Sequence, residues 1–349
     1  MIKKNICVIF GGRSREHTVS CVSASFVAEN LDTDKYNIYK IGITRSGEWY
    51  LFEGTPEQMR NGSWENGDRR RAVISPDTYH KGMLTDNGVV IPVDAVFPVL
   101  HGEYGEDGSI QGLFKLAGIP YVGPGIAASA AGLDKVHSKI LFDRAGIKQT
   151  KWIYFDNISA VDFSAVRARI LENFTYPVFV KPANTGSSIG ISKAHNDTEL
   201  KKALFEAGNV DKKVIIEEAV DAHEIECAAL GNDDVFISVP GEVFAAGEFY
   251  DYNSKYFDEG SYTAIPADID AGMAEKIKET AKIAYKALGC AGLSRVDFLV
   301  DRHSGEIYLN EINTMPGFTE ISMYPKLLMH EGMSYGEILD KLIELALES

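Results

Sequence analysis

Cysteine is scarce in this chain, with four residues among 349, at positions 7, 21, 227 and 290. Each cysteine stands alone inside an apolar segment, and no pair has the spacing of a zinc site or a disulfide framework. We therefore expect four buried, reduced thiols.

Long apolar runs and an excess of basic residues are also missing. No stretch approaches the roughly 18 consecutive apolar residues of a membrane-spanning helix, and the opening MIKKNICVIFGG leads into a strand without a signal-peptide pattern. The formal net charge of -15 argues against broad contact with nucleic acid or anionic membranes. We expect a cytoplasmic enzyme with no nucleic-acid or membrane partner.

The chain is longer than one ordinary domain, and 45% of its residues are hydrophobic and 24% charged, as in globular proteins. Apolar strands alternate with helical patterns up to about Gly123, which predicts a parallel sheet covered by helices. Beyond that residue the pattern becomes mixed α+β. We predict three domains, at residues 1–122, 123–220 and 221–349, and we interpret the polar segment 52–87 as a surface elaboration of the first.

Two nucleotide-binding fingerprints are absent. GxGxxG is missing from the front segment FGGRSREHTVS, which disfavours a dehydrogenase, and no P-loop pattern occurs. A different glycine-rich loop, KPANTGSSIG at Lys181–Gly190, lies between two strand-like segments. Glycines let consecutive backbone amides approach a phosphate, and the lysine adds charge. A plain hairpin turn of small residues is the alternative.

A second hairpin, SRVDFLVDRHSGEIYLNEIN, concentrates oxygen donors. Glu311 and Asn313 share one face of their strand, and the turn brings Asp297 opposite them. Two carboxylates and an amide suit a hard cation such as Mg²⁺, completed by nucleotide phosphates. Arg295 lies on the same face and could hold a developing negative charge. A solvated acidic hairpin is the alternative.

The front segment places Glu16 just before a helix, where it could bind a substrate ammonium. A helix cap by Ser14 or Thr18 explains the same residues equally well. A lone histidine near a strand end, such as His101, is more often a structural hydrogen-bonding group than a base. The aromatic stretch EFYDYNSKYF at Glu248–Phe257 does not read cleanly as a strand.

These motifs together resemble one family, the D-alanine–D-alanine ligases of the ATP-grasp superfamily. The resemblance runs nearly end to end, through VIFGGRSREHTVS, PVLHGEYGEDGSIQGLFKLAGIPYVG, VKPANTGSSIG, EFYDYNSKY, SRVDF and NEINTMPGFTEISMYP. It implies an ATP-grasp fold, with α/β and α+β parts and an N-terminal Rossmann-like domain. It also implies a reaction through a D-alanyl phosphate, and EFYDYNSKYF is then expected to be a lid that excludes water from that intermediate.

The resemblance also implies a role for individual residues. The catalytic group would be Glu16, Ser187, Tyr256 and Arg295; the ATP-binding group Lys135, Lys181, Glu217, Ala219, Val220, Glu224 and Lys255; the substrate-binding group His101, Gly317 and Ser322; and the metal ligands Asp297, Glu311 and Asn313. ATP and two Mg²⁺ ions, with Mn²⁺ as a substitute, are the implied cofactors. D-alanine would fill both substrate sites of a homodimer that supplies peptidoglycan synthesis.

Three alternatives follow from the same residues. The segment IGITRSGEWY resembles ligases of the vancomycin-resistance type that accept D-serine, whereas FTEISMYP resembles ordinary D-alanine ligases. A non-catalytic nucleotide-binding protein would be expected to have lost a metal ligand or the arginine, and all are present. A carboxylase-type relative would need a partner domain for which no sequence remains.

Overall fold

The computed structural model describes residues 2–186, 188–244 and 262–348. The strands in this part of the chain are β1 (Lys4–Gly11), β2 (Tyr36–Ile43), β3 (Trp49–Phe52), β4 (Arg69–Ile74), β5 (Gly82–Thr85), β6 (Val90–Pro92), β7 (Ala95–Pro98), β8 (Trp152–Phe155), β9 (Val178–Pro182), β10 (Ser192–Ala194), β11 (Val214–Glu218), β12 (Ala222–Leu230), β13 (Phe236–Ile237), β14 (Gly241–Phe244), β15 (Tyr262–Ala264), β16 (Leu293–Asp301) and β17 (Ile307–Asn313). The α-helices are α1 (His17–Asn30), α2 (Pro56–Arg60), α3 (Ser109–Ala117), α4 (Ile126–Leu133), α5 (Lys135–Arg144), α6 (Phe163–Asn173), α7 (Asp197–Gly208), α8 (Ala271–Leu288), α9 (Met323–His330) and α10 (Tyr335–Leu347).

The first sheet has seven strands in the order β6-β5-β4-β3-β2-β1-β7. The strand β1 is parallel to both β2 and β7, as the alternating pattern predicts, because α1 returns the chain from the end of β1 to the start of β2. The predicted parallel sheet is confirmed for these three strands alone, since the pairs from β2 through β6 are antiparallel and the sheet is mixed. From Ile6 onward β1 is buried on both faces, which explains its continuous apolar run. The carboxyl ends of β1 and β7 lead to the segments that carry Glu16 and His101.

The interpretation of segment 52–87 as a surface elaboration is wrong. The strands β4 and β5 lie in this segment and extend the first sheet by antiparallel pairing with β3 and β6. Its Trp64 and Met59 side chains are completely buried. The Trp64 ring fills space against Gly42 of β2, where a Cβ atom would lie 2.3 Å from the ring. The polar residues that suggested a surface loop alternate with these few large core side chains.

The second sheet is antiparallel, in the order β10-β9-β11-β8. Helices α6 and α7 share its core through side chains such as Ile170 and Leu200, which are both fully buried or nearly so. The expected strand–loop–strand around KPANTGSSIG is confirmed, because β9 and β10 form a hairpin whose loop carries the glycines.

The third sheet contains β15-β14-β12-β16-β17, with β13 paired to β12, and it is antiparallel throughout. Helix α8 packs on it through Ile277, Ala281 and Tyr285, which are completely buried. The predicted hairpin is β16–β17, with Asp297 directly opposite Glu311 and Arg295 opposite Asn313.

The carboxyl-terminal helix packs in a core that joins the first sheet to the third, which contributes Ala228 and Leu293. Leu339 and Leu342 of α10 belong to the same hydrophobic core as Val8 of β1 and Phe97 of β7. The four cysteines are free and buried, as expected. Within the described ranges, no helix combines the length and apolarity needed to cross a membrane.

Candidate active site

Glu16 lies at the N-cap position of α1 and is 6% exposed. Two glycines allow the backbone to reach its carboxylate. A Cβ atom on Gly102 would lie 2.3 Å from Glu16 Oε2, and one on Gly186 would lie 3.2 Å from the same atom. Gly186 belongs to the predicted glycine-rich loop, so that hairpin loop extends over Glu16 instead of ending as a free turn.

The alternative helix cap is partly present. The Glu16 backbone N–H donates to Ser14 Oγ at 3.2 Å, and the same hydroxyl donates to the carbonyl of His101 at 2.6 Å. Thr18 Oγ1 instead accepts a hydrogen bond from Arg45. Ser14 thus ties the start of α1 to the loop after β7, while the Glu16 side chain projects between Gly102 and Gly186.

His101 connects three segments. Its Nδ1 lies 3.0 Å from the Met315 carbonyl and its Nε2 lies 3.3 Å from Ser23 Oγ. Burial lowers the pKa of this histidine, with Glu16 acting in the opposite direction. A neutral imidazole therefore links the loop after β7 to the turn that follows Asn313.

Two lysines proposed for the nucleotide phosphates lie on different elements. Lys135 begins α5, and its Nζ donates to the carbonyl of Thr185 in the glycine-rich loop. Lys181 is in β9, and its Nζ donates to Glu217 Oε2 at 3.0 Å. Both ammonium groups thus lie beside the loop predicted to bind phosphate.

Glu217 is 3% exposed and lies between two cations, because Lys139 Nζ is also 3.7 Å from its Oε2. Burial by itself would raise the pKa of Glu217, but Lys139 and Lys181 outweigh it and lower this pKa to about 2. The carboxylate therefore stays ionised and orients Lys181.

The predicted acidic hairpin is not a solvated face, since Asp297 is only 8% exposed. Arg295 holds both Asp297 oxygens, with Nε 2.8 Å from Oδ1 and Nη2 2.6 Å from Oδ2. Burial of this guanidinium opposes its charge, but Asp297 and Glu226 outweigh that effect and raise the pKa of Arg295. Asn313 Oδ1 accepts the Met315 N–H at 3.1 Å, which shapes the turn after β17.

Two cavities meet at Glu311. The larger, of about 580 Å³, is lined by the predicted ATP-binding residues Lys181, Glu217, Ala219, Val220 and Glu224, together with Asp297 and Glu311. The smaller, of about 80 Å³, is lined by Glu16, His101, Lys135, Arg295, Glu311, Asn313 and Gly317. The arrangement places a space large enough for a nucleotide next to one suited to an amino acid.

Gly317 lines the smaller cavity, and Ser322 lies directly beside it. A Cβ on Gly317 would lie 2.7 Å from Ser322 Oγ. That hydroxyl accepts the Thr319 N–H at 3.0 Å and pairs with Thr319 Oγ1 at 2.8 Å. Ser322 is the N-cap of α9 without a side-chain cap bond, and it does not itself line the cavity.

The donors near Glu311 fit a hard divalent cation. Carboxylate oxygens of Asp297 and Glu311 and the Asn313 amide oxygen come from facing positions on β16 and β17. In the described ranges, no three His, Cys, Asp or Glu side chains group closely enough to hold a metal alone. A cation here therefore needs the amide and oxygens from the nucleotide, as Mg²⁺ sites commonly do.

Three predicted residues, Ser187, Lys255 and Tyr256, lie outside the described residues, as does the whole stretch EFYDYNSKYF.

Three other residues belong to the site and were missed from the sequence. Lys139 lies one helical turn after Lys135, a spacing that could have revealed it. Glu226 lies two residues after Glu224 on the same face of β12, and it is directly opposite Asp297 on β16. Glu106, in the motif HGEYGEDG, accepts the Gly102 N–H at 2.8 Å, and burial together with Glu16 raises its pKa to about 8.

The chain is similar to known proteins over its whole length. Residues 5–124 match the family model described as D-ala D-ala ligase N-terminus, and residues 141–344 match D-ala D-ala ligase C-terminus. A D-alanine–D-alanine ligase of Acetivibrio thermocellus is 48% identical, over 99% of this chain and 96% of that relative.

Two solved structures are also similar. The VanG D-Ala:D-Ser ligase from Enterococcus faecalis has a TM-score of 0.90 at 44% identity, covering 99% of this chain and 100% of that one. The D-alanine-D-alanine ligase from Coxiella burnetii has a TM-score of 0.87 at 33% identity, covering 99% and 94%. The expected ATP-grasp fold, with its N-terminal Rossmann-like part, is thereby confirmed.

Proposed function

Because this chain belongs to the D-alanine–D-alanine ligase family, we propose that it joins two D-alanine molecules in an ATP-dependent reaction that supplies peptidoglycan precursors. It is thus an ADP-forming carbon–nitrogen ligase. The observation that carries the proposal is the meeting of a nucleotide-sized cavity and an amino-acid-sized cavity at Glu311.

The reaction proposed has two steps. A carboxylate oxygen of the first D-alanine attacks the γ-phosphorus of ATP, and the bond to the bridging oxygen breaks to release ADP. The amine of the second D-alanine then attacks the carbonyl carbon of D-alanyl phosphate, losing its proton and expelling inorganic phosphate. Both steps move negative charge, so positioning and charge neutralisation are the main contributions of the protein.

The smaller cavity holds the amino acids in this proposal. Glu16 accepts the ammonium of the first D-alanine, and its burial beside Gly102 and Gly186 strengthens that contact. His101 lies near the second D-alanine, whose carboxylate is bound by the Gly317 amide and the Ser322 hydroxyl. The nearness of Ser322 Oγ to Gly317 supports this pairing.

The larger cavity holds ATP. Ala219, Val220 and Glu224 border the adenine and ribose, and Lys181 contacts the phosphates beside Glu217. Lys135, which lines the adjoining smaller cavity, reaches the phosphates from that side. Asp297, Glu311 and Asn313 would hold two Mg²⁺ ions, for which Mn²⁺ could substitute, and the bound ions would supply positive charge beside the transferring phosphoryl group. Arg295 stabilises the oxyanion of the second step.

A lid completes the site in this proposal. We infer from the family resemblance that Tyr256 would hydrogen-bond to Ser187 and Glu16, and that Lys255 would reach the γ-phosphate when the lid closes. Tyr256→Phe is expected to raise ATP hydrolysis without peptide formation, since water then reaches the acyl phosphate. The measurement is the ratio of ADP to dipeptide released, with Tyr262→Phe as the control; an unchanged ratio would argue against the latch.

D-alanine is the proposed acceptor, and the similarity to a D-Ala:D-Ser ligase gives D-serine as the competing one. The test incubates the enzyme with Mg²⁺-ATP and D-alanine, with and without excess D-serine, and identifies the dipeptides by mass. D-alanyl-D-alanine as the dominant product supports the proposal, and a dominant D-alanyl-D-serine product refutes D-alanine as the acceptor. No dipeptide at all, with ATP bound, would favour a non-catalytic nucleotide-binding protein.

We also propose a cytoplasmic homodimer without nucleic-acid or membrane partners, as the family resemblance and the negative charge indicate. Sedimentation velocity at micromolar concentration tests the dimer, and a single monomer boundary would contradict it.

A further inference from the structure

Three carboxylate residues form one row across the third sheet. Glu226 of β12 pairs with Asp297 of β16, and Asp297 pairs with Glu311 of β17. Like charges directly opposite each other on neighbouring strands are destabilising unless a cation lies among them. Glu226 and Asp297 are 6% and 8% exposed, so water screens them little.

Among the residues that the structure describes, Arg295 places a cation against this row. It occupies the next position of the same face on β16, and its side chain is 12% exposed. Its Nε lies 3.0 Å from Glu226 Oε2 as well as 2.8 Å from Asp297 Oδ1. The guanidinium thus bridges the carboxylates of two neighbouring strands.

This bridge competes with a cation at Asp297. Both Asp297 oxygens accept from Arg295, so binding a metal ion there requires breaking or weakening at least one of these contacts. A guanidinium released without another anion would be left buried with an uncompensated charge, which is costly. Glu226 is the buried carboxylate already in contact with it.

We propose that Glu226 is a positioning residue that retains Arg295 when Asp297 turns to the divalent cation. Cation binding and the placement of Arg295 are then coupled, so the arginine becomes available near the reacting carbonyl only when the metal site is filled. This inference rests on the proposed function, in which Asp297 is a metal ligand and Arg295 stabilises an oxyanion.

The test is a Mn²⁺ titration of the full-length protein saturated with ADP, with free Mn²⁺ measured by electron paramagnetic resonance and corrected for the Mn²⁺ that ADP binds in solution. The variants are Glu226→Gln, Arg295→Met and the double variant. Arg295→Met should bind Mn²⁺ more tightly than wild type, because Asp297 loses its competitor. Glu226→Gln should weaken binding by about tenfold, within the range of coupling between residues in contact.

The double variant shows whether Glu226 affects Mn²⁺ binding through Arg295 or only through its own negative charge. If Glu226 acts through Arg295, then Glu226→Gln changes Mn²⁺ affinity by less than about twofold in the Arg295→Met background. A loss of equal size in both backgrounds means that Glu226 acts as a distant charge, and overturns the inference. Glu306→Gln, at the exposed end of the hairpin β16–β17, is the charge-matched control and should weaken binding little.

Two further measurements keep the outcomes distinct. Glu226→Asp retains the charge and should recover most of the affinity; if it binds no better than a folded Glu226→Gln protein, the inference fails. Circular dichroism checks folding, and if Glu226→Gln does not fold, the same comparison is made with Glu226→Ala in both backgrounds. Absence of Mn²⁺ binding in every variant, including Arg295→Met, would refute the proposed metal site itself.

Discussion

Glu217→Gln is expected to destabilise the protein strongly, although an amide has nearly the same shape as a carboxylate. Glu217 is the anion between Lys139 and Lys181, with Nζ–Oε2 distances of 3.7 and 3.0 Å. All three side chains are buried, with exposures of 3%, 2% and 12%. The substitution leaves two ammonium groups facing one neutral amide.

The magnitude follows from these distances. With an effective dielectric constant of about 20, each attraction is worth roughly 5 kcal/mol, and the burial of each ion costs several kcal/mol in return. The intact cluster is therefore near balance, but removing its single anion cancels both attractions and leaves the cost of burial. Loss of a proton from Lys139, whose pKa burial already lowers, limits the damage. We expect a loss of about 3–5 kcal/mol in the free energy of unfolding, the usual cost of breaking a buried pair.

Urea denaturation at neutral pH, followed by tryptophan fluorescence, measures this loss, since Trp152 pairs with Glu217 across β8 and β11. Glu218→Gln is the control, because Glu218 is the next residue of the strand and lies outside the cluster; a change below about 1 kcal/mol is expected there. Since the pKa of Glu217 is lowered to about 2, its contribution is present above about pH 4.5 and is lost as the pH falls toward 2. A Glu217→Gln protein within about 1 kcal/mol of wild type at neutral pH would refute this account of the cluster.

Three other substitutions test separate parts of the site. Glu311→Gln should abolish dipeptide formation with little change in circular dichroism, because Glu311 joins the two cavities and is a proposed metal ligand. Gly102→Ala should raise KM for the first D-alanine about tenfold or more, since its Cβ would lie 2.3 Å from Glu16 Oε2 and each factor of ten corresponds to about 1.4 kcal/mol. Glu106→Gln should gain stability relative to wild type as the pH rises from about 4.5 to 8. The pKa of Glu106 is raised to about 8, so the folded state binds more protons in that window and wild-type stability falls.

Each of these substitutions has a control or a contradicting result. Glu306→Gln is the control for Glu311→Gln, because Glu306 lies at the exposed end of the hairpin β16–β17, and it should turn over like wild type. Wild-type turnover in Glu311→Gln would reject the assignment of Glu311 as a metal ligand. Gly88→Ala is the control for Gly102→Ala. The φ of Gly88, +78°, is close to the +73° of Gly102, but no atom lies within 4 Å of the added Cβ, so this variant shows the effect of backbone strain without the clash. A stability difference between wild type and Glu106→Gln that does not vary with pH would contradict the raised pKa.

Local patterns predicted much of the fold correctly. The apolar run of β1, the helical spacing of α1 and the hairpin β16–β17 each depend on neighbouring residues, and all three are present. The prediction for segment 52–87 was wrong because polar residues outnumber core side chains there. The burial of Trp64 depends on its contact with Gly42 on a different strand, which the local pattern does not show. The three domain boundaries stay predictions.

The ordered motifs were enough to predict the family, and strand alternation with a short turn was enough to predict that Asp297 faces Glu311, because such positions depend on neighbouring residues alone. Which charges neutralise one another depends on how distant segments pack. Lys139, Glu217 and Lys181 come from three separate elements, Glu226 meets Arg295 across two strands, and α10 packs on the first sheet. These contacts form because buried charges must find partners and apolar faces must be covered, and both requirements are met by residues far apart in the chain.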